Sequence, residues 1–211
     1  MKHIEKREEP DLFTEWKALA SEEWQPTFRD MPNEIKNSVK SALMREQGFI
    51  CCYCEGRLTV EDSHIEHFKP QSDPEVDSLD FDNMLCSCQK QSKRGEPLHC
   101  GHRKGDWFDT ELLISPLDPN CEDLFSFTGD GHILPRNKND QKAVETIGRL
   151  DLNISKLVDM RAKAIEPFLD ESLSPQEFRR LVIGYLKIDN SGAFGAYWST
   201  IDYLFRELAA T

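Results

Sequence analysis

Six of the seven cysteines in this chain lie within one window, from Cys51 to Cys100. A cluster of this kind is held together either by disulfides or by a bound metal. The N-terminal sequence MKHIEKREEP lacks the apolar core of a secretory signal, and no stretch is apolar for long enough to span a membrane. We therefore expect a cytoplasmic protein with reduced thiols and no membrane partner, in which the cysteines bind metal or act in catalysis.

Cys51 and Cys54 form a C-x-x-C pair, whose two thiolates can chelate one tetrahedral ion. A second pair must come from Cys86, Cys88 and Cys100, so the sequence predicts a four-cysteine zinc site. A thioredoxin-like redox role for C-x-x-C would need a βαβ pattern, which this window does not show. Buried thiols without a metal would leave the crowding of six cysteines unexplained.

Residues 63–70, SHIEHFKP, lie between the two predicted cysteine pairs. A carboxylate such as Glu66 is a ligand for Mg²⁺ or Mn²⁺, and a neutral imidazole such as His67 is a general base near pH 7. Further along the chain, Asn83 can fix the backbone or the ring of the base, and His102 can complete a metal site. Hydrolysis of a phosphodiester needs this combination of metal and base.

Amphipathic helices are predicted on both sides of the window. Before it, one helix should bury Leu12, Phe13, Trp16, Leu19 and Ala20, and a second should bury Ile35, Val39, Ala42 and Leu43. After it, LFSFT and HILP predict a hairpin, and residues 139–211 predict three or four helices. The last helix, from about Ala193 to Leu208, has an aromatic face that we expect to pack in the core or on a partner chain; base stacking is the alternative.

The motifs of the window resemble those of a known family. The order C-x-x-C, Glu-His-x-x-Pro, Asn-x-x-x-x-Cys and Cys-x-His-x-Lys-Gly resembles the zinc-supported HNH, or ββα-metal, endonucleases. The longer segments QGFI before CCYCE, then HIEHFKP, DNMLCSC, HCGHRKGDW and SPLDP are similar to the PtuB-type HNH nucleases of Septu and retron-associated antiphage systems. The resemblance covers residues 1–135 and weakens in the helical tail.

The resemblance implies a mainly α fold with a small α+β core of the zinc-supported ββα-metal (HNH) type. The N-terminal helical segment would occupy residues 1–48, the HNH core 49–110, a loop and hairpin 111–138, and the C-terminal helical lobe 139–211. Residue by residue, it makes His67 the general base, Glu66 and His102 the ligands of a catalytic Mg²⁺ or Mn²⁺, and Asn83 the orienting residue.

The resemblance also implies that structural Zn²⁺ is held by Cys51, Cys54, Cys88 and Cys100. Cys88 is preferred to Cys86 because it stands five residues after Asn83, the usual offset in the family. The spacing departs from the family pattern between Cys88 and Cys100, which leaves His99 as a rival of His102. His64 shares strand parity with Glu66, so it is a further candidate at the catalytic ion; the alternative is a surface or core histidine.

The charge distribution bears on how nucleic acid would reach this site. The formal net charge is −12, and residues 61–82 contain eight acids and one base. Residues 89–104 reverse the balance, since Lys90, Lys93, Arg94, Arg103 and Lys104 oppose only Glu96. This basic segment is either a phosphate contact beside the metal or a solvated loop. A small cationic strip on an anionic body predicts a partner that delivers the substrate.

The family resemblance supplies candidates for that partner. It implies a PtuA-like ABC-type ATPase and, in retron versions, a reverse transcriptase with its reverse-transcribed DNA (msDNA). The nucleic-acid substrate would be DNA or an RNA such as tRNA.

Two other function classes compete with an antiphage HNH endonuclease. One is a non-catalytic zinc module that binds a partner and would tolerate loss of His67. The other is a nucleobase deaminase, because His64-Ile65-Glu66 matches its H-x-E element. The motif order excludes the deaminase, since C-x-x-C precedes H-x-E here and no Pro-Cys-x-x-Cys follows it.

Overall fold

The computed structural model describes residues 1–91 and 95–210, and it is mostly helical with two small antiparallel sheets. The helices and strands follow one another as α1 (Asp11–Lys17), α2 (Asn33–Glu46), β1 (Ser63–His67), β2 (Met84–Cys88), α3 (Cys100–Lys104), β3 (Phe125–Phe127), β4 (Ile133–Pro135), α4 (Gln141–Arg149), α5 (Ser155–Ile165), α6 (Pro175–Leu186) and α7 (Trp198–Ala210). Among the described residues, none of these helices is long and apolar enough to cross a membrane.

The first helix is shorter than the sequence predicts. Phe13 and Trp16 are buried as expected, but Leu12 and Leu19 are 37% and 67% exposed. The predicted buried face is wrong for three residues. Leu19 and Ala20 are exposed because α1 ends at Lys17, so that both lie beyond the helix, and Leu12 lies within α1 but on its exposed side.

The second helix agrees with its prediction. Pro32 stands directly before α2, and the chain leaves the helix through Gly48, whose φ is +56°. The buried Gln47 amide donates to the carbonyls of Ile50 and Cys86 and accepts from the Cys86 N–H, all at 2.7–2.8 Å. Gln47 thereby joins the end of α2 to the cysteine window.

The central sheet pairs β1 with β2 in antiparallel register, with Ser63 opposite Cys88 and His67 opposite Met84. The short helix α3 packs on β2. The order β1, β2, α3 is compatible with the α/β core of an HNH protein. The buried core on which this sheet rests includes Leu43 and Leu85.

The C-terminal helices pack mainly as the sequence predicts. The capping box at the start of α6 is confirmed, since the Ser174 hydroxyl accepts from the Glu177 N–H while the Glu177 carboxylate accepts from the Ser174 N–H. The last helix begins at Trp198 and not near Ala193. An Asp189 carboxylate that accepts from the N–H groups of Ser191 and Ala193 holds a turn there instead.

The aromatic face of α7 is buried, with Trp198, Ile201 and Phe205 at most 6% exposed. Ile201 and Phe205 belong to a second hydrophobic cluster, together with residues such as Phe168 and Val182. This agrees with the interpretation as core and leaves little of these rings accessible for base stacking.

Candidate metal centre and active site

Four cysteines from three separate segments meet at the base of the central sheet. The Sγ atoms of Cys51, Cys54, Cys88 and Cys100 all lie within 4.8 Å of one another. These are the four residues that the sequence and the resemblance predict. Two come from the turn after α2, one from the end of β2 and one from the start of α3.

The surroundings of Cys51 and Cys54 favour thiolates, whereas the pKa values of Cys88 and Cys100 are raised well above the usual range for cysteine. The backbone N–H of Gly56 donates to Cys54 Sγ at 3.4 Å, and that of Cys88 donates to Cys51 Sγ at 3.5 Å. Burial alone would raise the pKa of Cys51, but hydrogen bonds from Cys100 and the other nearby thiols hold it well below its usual range. A hydrogen bond from Cys100 is the main cause that lowers the pKa of Cys54 to about 7. Because thiolates are the metal-binding form of cysteine, the cluster could hold a metal such as zinc.

Cys86, the alternative to Cys88 as a zinc ligand, and His99, the alternative to His102 at the catalytic ion, both lie next to this cluster but outside it. Cys86 precedes Cys88 by two residues on β2, and its pKa is raised to about 12, chiefly by burial. His99 is 2% exposed and places Nδ1 3.2 Å from Cys100 Sγ and 3.7 Å from Cys88 Sγ. At these distances His99 can donate a hydrogen bond to a thiolate of the cluster, as groups around metal-bound sulfurs commonly do.

A second group of predicted residues lines a cavity of about 240 Å³ between β1 and α3. Its lining includes His64, Glu66, His67 and His102, together with Gln71. The structure therefore brings the candidate metal ligands and the candidate base to one place, although neighbouring positions on a strand point to opposite faces.

Glu66 is 7% exposed, and its two carboxylate oxygens have different surroundings. Oε1 lies 3.1 Å from Lys104 Nζ and accepts a hydrogen bond from the Tyr53 hydroxyl at 3.1 Å. Oε2 faces His64 Nε2 at 3.5 Å. Burial would raise the pKa of Glu66, but the hydrogen bond from His64 and the charge of Lys104 lower it, so the carboxylate is ionised near pH 7.

Two imidazoles stand beside this carboxylate. The ring centroids of His64 and His102 are 4.7 Å apart. His64 Nδ1 and His102 Nε2 are buried and, within the described part of the chain, have no hydrogen-bond partner. Buried polar atoms are nearly always paired, so these two nitrogens are available to a further partner such as a metal ion.

His67 lies at the end of β1 and is 6% exposed. Its Nε2 lies 3.0 Å from the Ser78 carbonyl, which can only accept, so Nε2 carries the proton and Nδ1 is the basic nitrogen. The Gln71 side-chain amide donates to Nδ1 at 2.8 Å, and the Phe28 ring contacts the imidazole edge-on at 4.7 Å. Burial lowers the pKa of His67, which keeps the imidazole neutral near pH 7.

Asn83 lies outside the cavity lining and acts on the backbone that follows His67. Its Oδ1 accepts from the Lys69 N–H at 2.8 Å, and its Nδ2 donates to the Lys69 carbonyl at 2.9 Å. The Phe68 N–H donates to the Asn83 carbonyl at 2.9 Å. These bonds fix the turn immediately after His67, which is where an orienting residue is expected.

The basic segment predicted at residues 89–104 does not present all of its charges to solvent. Lys104 is 3% exposed and buried against Glu66, so its prediction as a phosphate contact is wrong; α3 carries its side chain inward. Arg103 is exposed and forms an ion pair with Asp151 at 2.7 Å. Lys93 and Arg94 lie outside the described residues.

Sequence reasoning missed two residues of the site, Tyr53 and Lys104. Tyr53 stands between ligands in the CCYC motif, and Lys104 closes the Cys-x-His-x-Lys-Gly motif. Their positions inside these motifs were the available signal. Their contact with Glu66 depends on how the cysteine turn and α3 pack on β1.

Comparison with known proteins agrees with the resemblance to HNH proteins. No protein-family profile matches the chain. The chain is 32% identical over 139 residues to the Vibrio cholerae (serotype O1 biovar El Tor) protein named "Retron Vc95 putative HNH endonuclease", and the match covers 63% of this chain and 65% of that protein, slightly less than two thirds of its length. It is 26% identical over 207 residues to the Escherichia coli protein named "Retron Ec83 putative HNH endonuclease", with 80% of each covered. Neither name refers to PtuB or to Septu.

Proposed function

We propose that this chain is a metal-dependent HNH endonuclease that hydrolyses phosphodiester bonds in nucleic acid as the effector of a retron or Septu-type antiphage system. The observation that carries the proposal is the single cavity lined by Glu66, His67 and His102, directly beside the four-cysteine cluster. The names of the Vibrio and Escherichia relatives support a nuclease in a retron context.

The catalytic ion would be held by Glu66 and His102, with His64 beside them. A Mg²⁺ or Mn²⁺ ion bound there would neutralise charge on the scissile phosphate and stabilise the leaving oxygen. His67 is the general base, because the Ser78 carbonyl holds its proton on Nε2 and makes Nδ1 the nitrogen that would take a proton from water. The attacking water would replace the Gln71 amide that now donates to Nδ1.

The four-cysteine cluster has a structural role in this proposal, with Zn²⁺ as its ion. Cys100 opens α3, and Gly101 and His102 follow it directly. A zinc ion that fixes Cys100 against the cysteine turn and β2 would therefore also fix His102 beside Glu66. The same folding event would build both metal sites.

A partner supplies the substrate in this proposal. The net charge of −12 opposes tight binding to a polyanion by the isolated chain. Lys104, which the sequence counts as a basic surface residue, is buried and adds nothing to a phosphate-binding surface. A PtuA-like ABC-type ATPase, with a reverse transcriptase and its msDNA in a retron, would deliver DNA or tRNA to the cavity.

The proposal is tested by cleavage assays on duplex DNA, single-stranded DNA and tRNA, with the chain alone and with its co-expressed genomic neighbours. Cleavage should require added Mg²⁺ or Mn²⁺, and Glu66→Gln should lower the rate by at least about 100-fold because it removes a charged ligand. Glu75→Gln, an exposed acid in the following loop, is the matched control and should keep full activity.

Full activity of Glu66→Gln, or cleavage that continues without any divalent ion, would refute the metal-dependent mechanism. Absence of cleavage in every combination of partner and substrate would favour the non-catalytic zinc module instead.

Gly101 provides a test of the candidate ion site that does not remove a ligand. A methyl group built on Gly101 would overlap Oε2 of Glu66 and lie 2.9 Å from Nε2 of His64. Gly101→Ala should therefore displace Glu66 and weaken Mn²⁺ binding by about tenfold, measured by electron paramagnetic resonance titration. Gly184→Ala in α6 is the control, since a methyl group there meets nothing within 4 Å. Wild-type Mn²⁺ affinity in Gly101→Ala would contradict the placement of the ion.

A further inference from the structure

Lys104 is a buried lysine whose ammonium group has three acceptors. Its side chain is 1% exposed, and Nζ lies 3.1 Å from Glu66 Oε1, 3.1 Å from the His67 carbonyl and 3.2 Å from the Gly105 carbonyl. An ammonium group has three N–H donors, so this arrangement uses all of them. Gly105 contributes because its φ of 54° and ψ of −132° turn the chain back over the end of α3, a conformation that only glycine adopts easily.

This arrangement gives the two oxygens of Glu66 different roles. Oε1 accepts from both Lys104 Nζ and the Tyr53 hydroxyl, each at 3.1 Å, and Tyr53 is itself 1% exposed. Oε2 has neither of these donors and faces His64 Nε2 across 3.5 Å, on the side that Gly101 approaches. A carboxylate held by one oxygen cannot turn freely, so its other oxygen has a fixed direction.

We infer that Lys104, with Tyr53, is a positioning residue for the catalytic ion: together they fix Oε1 of Glu66 so that Oε2 is the oxygen presented to the metal. The inference rests on the proposed metal-dependent function. Lys104 would therefore act in the active site by holding Glu66. It would not contact the nucleic-acid backbone, although its place in a basic segment of the sequence suggests that role.

The same ammonium group also ties the ion site to the base. Lys104 Nζ donates to the backbone carbonyl of His67, the residue that follows Glu66 on β1. One side chain from α3 therefore holds both the ligand carboxylate and the backbone of the base. Loss of Lys104 frees Glu66 first, since Asn83 still fixes the turn after His67 through Lys69.

The experiment compares Mn²⁺ binding to the intact wild-type chain, Lys104→Met and Tyr53→Phe by electron paramagnetic resonance titration. Partners that orient metal ligands typically affect affinity by 10- to 100-fold, so Lys104→Met should bind Mn²⁺ at least about tenfold more weakly. Tyr53→Phe, which keeps the ammonium, should weaken binding in the same direction by less. In cleavage assays, the Mn²⁺ concentration for half-maximal rate should rise in parallel, while most of the maximal rate returns at saturating Mn²⁺.

The matched control is Lys40→Met. Lys40 is 7% exposed, and its Nζ donates to the carbonyls of Val60 at 2.6 Å and Ser63 at 3.4 Å, so this variant also loses a buried ammonium near β1 but no contact with Glu66. Its Mn²⁺ affinity should match that of the wild type. Where Lys104→Met does not fold, Tyr53→Phe decides the question alone.

The outcomes separate this inference from the function on which it rests. The inference is overturned if a folded Lys104→Met binds Mn²⁺ with wild-type affinity, or if Tyr53→Phe does so when Lys104→Met does not fold. An equal loss of affinity in Lys40→Met would also overturn it. Each of these results leaves the nuclease proposal intact. A wild-type chain that neither binds Mn²⁺ nor cleaves with its partners would overturn both.

Discussion

His67→Ala should lower nucleic-acid cleavage by about 1,000-fold while leaving the fold unchanged. A positioned general base contributes about 10²–10⁴-fold to such a reaction. The imidazole is already set up for that task, because the Ser78 carbonyl fixes the proton on Nε2 and directs the basic Nδ1 towards Gln71 and the cavity. The measurement is the single-turnover cleavage rate at saturating divalent ion, in the complex with the co-expressed partners.

The control for this variant is His132→Ala, which removes an exposed imidazole that pairs with Asp130 far from the site in sequence. It should cleave at the wild-type rate. Since burial lowers the pKa of His67, the wild-type rate should fall only when the pH drops below the ordinary histidine range near 6.5, and His67→Ala should lose that acid limb. A His67→Ala protein with wild-type rates and the same pH profile would remove His67 from the mechanism.

The four-cysteine cluster is the part of this site that the sequence and the resemblance predict best. The C-x-x-C spacing indicates Cys51 and Cys54, the resemblance to HNH endonucleases adds Cys88 and Cys100, and the structure places the four sulfurs together. Such residues are recognisable because their chemistry restricts both their type and their spacing.

The residues that support the site are harder to predict. Lys104 lies in a run of basic residues, and only its place in the Cys-x-His-x-Lys-Gly motif distinguishes it locally from Arg103, its exposed neighbour. Which of the two turns inward depends on the direction in which the five-residue α3 meets the sheet, a tertiary property. Leu19 fails as a core residue for a similar reason, since its helix ends two residues earlier.

Cys54→Ser should remove zinc from the protein and lower its thermal stability markedly. Metal bound by four protein ligands contributes directly to folding, and the thiolates here join the cysteine turn, β2 and α3. The main hydrophobic cluster includes these cysteines but extends far beyond them. We therefore expect a loss of about 4 kcal/mol and not complete unfolding, which corresponds to roughly 8–16 °C in melting temperature for a chain of this size. Zinc content by mass spectrometry and the melting temperature by circular dichroism are the measurements.

The control for the zinc prediction is Cys86→Ser, which changes a buried thiol two residues from Cys88 on the same strand. It should retain one zinc per chain, whereas Cys88→Ser should lose it; the reverse result would reassign the ligand. Zinc loss should reach the catalytic site as well, because Cys100 holds the start of α3 and His102 stands two residues later. Cys54→Ser should therefore also bind Mn²⁺ more weakly, although it removes no ligand of that ion. Unchanged Mn²⁺ affinity in a zinc-free but folded variant would show that β1 and α3 position Glu66 and His102 without the zinc.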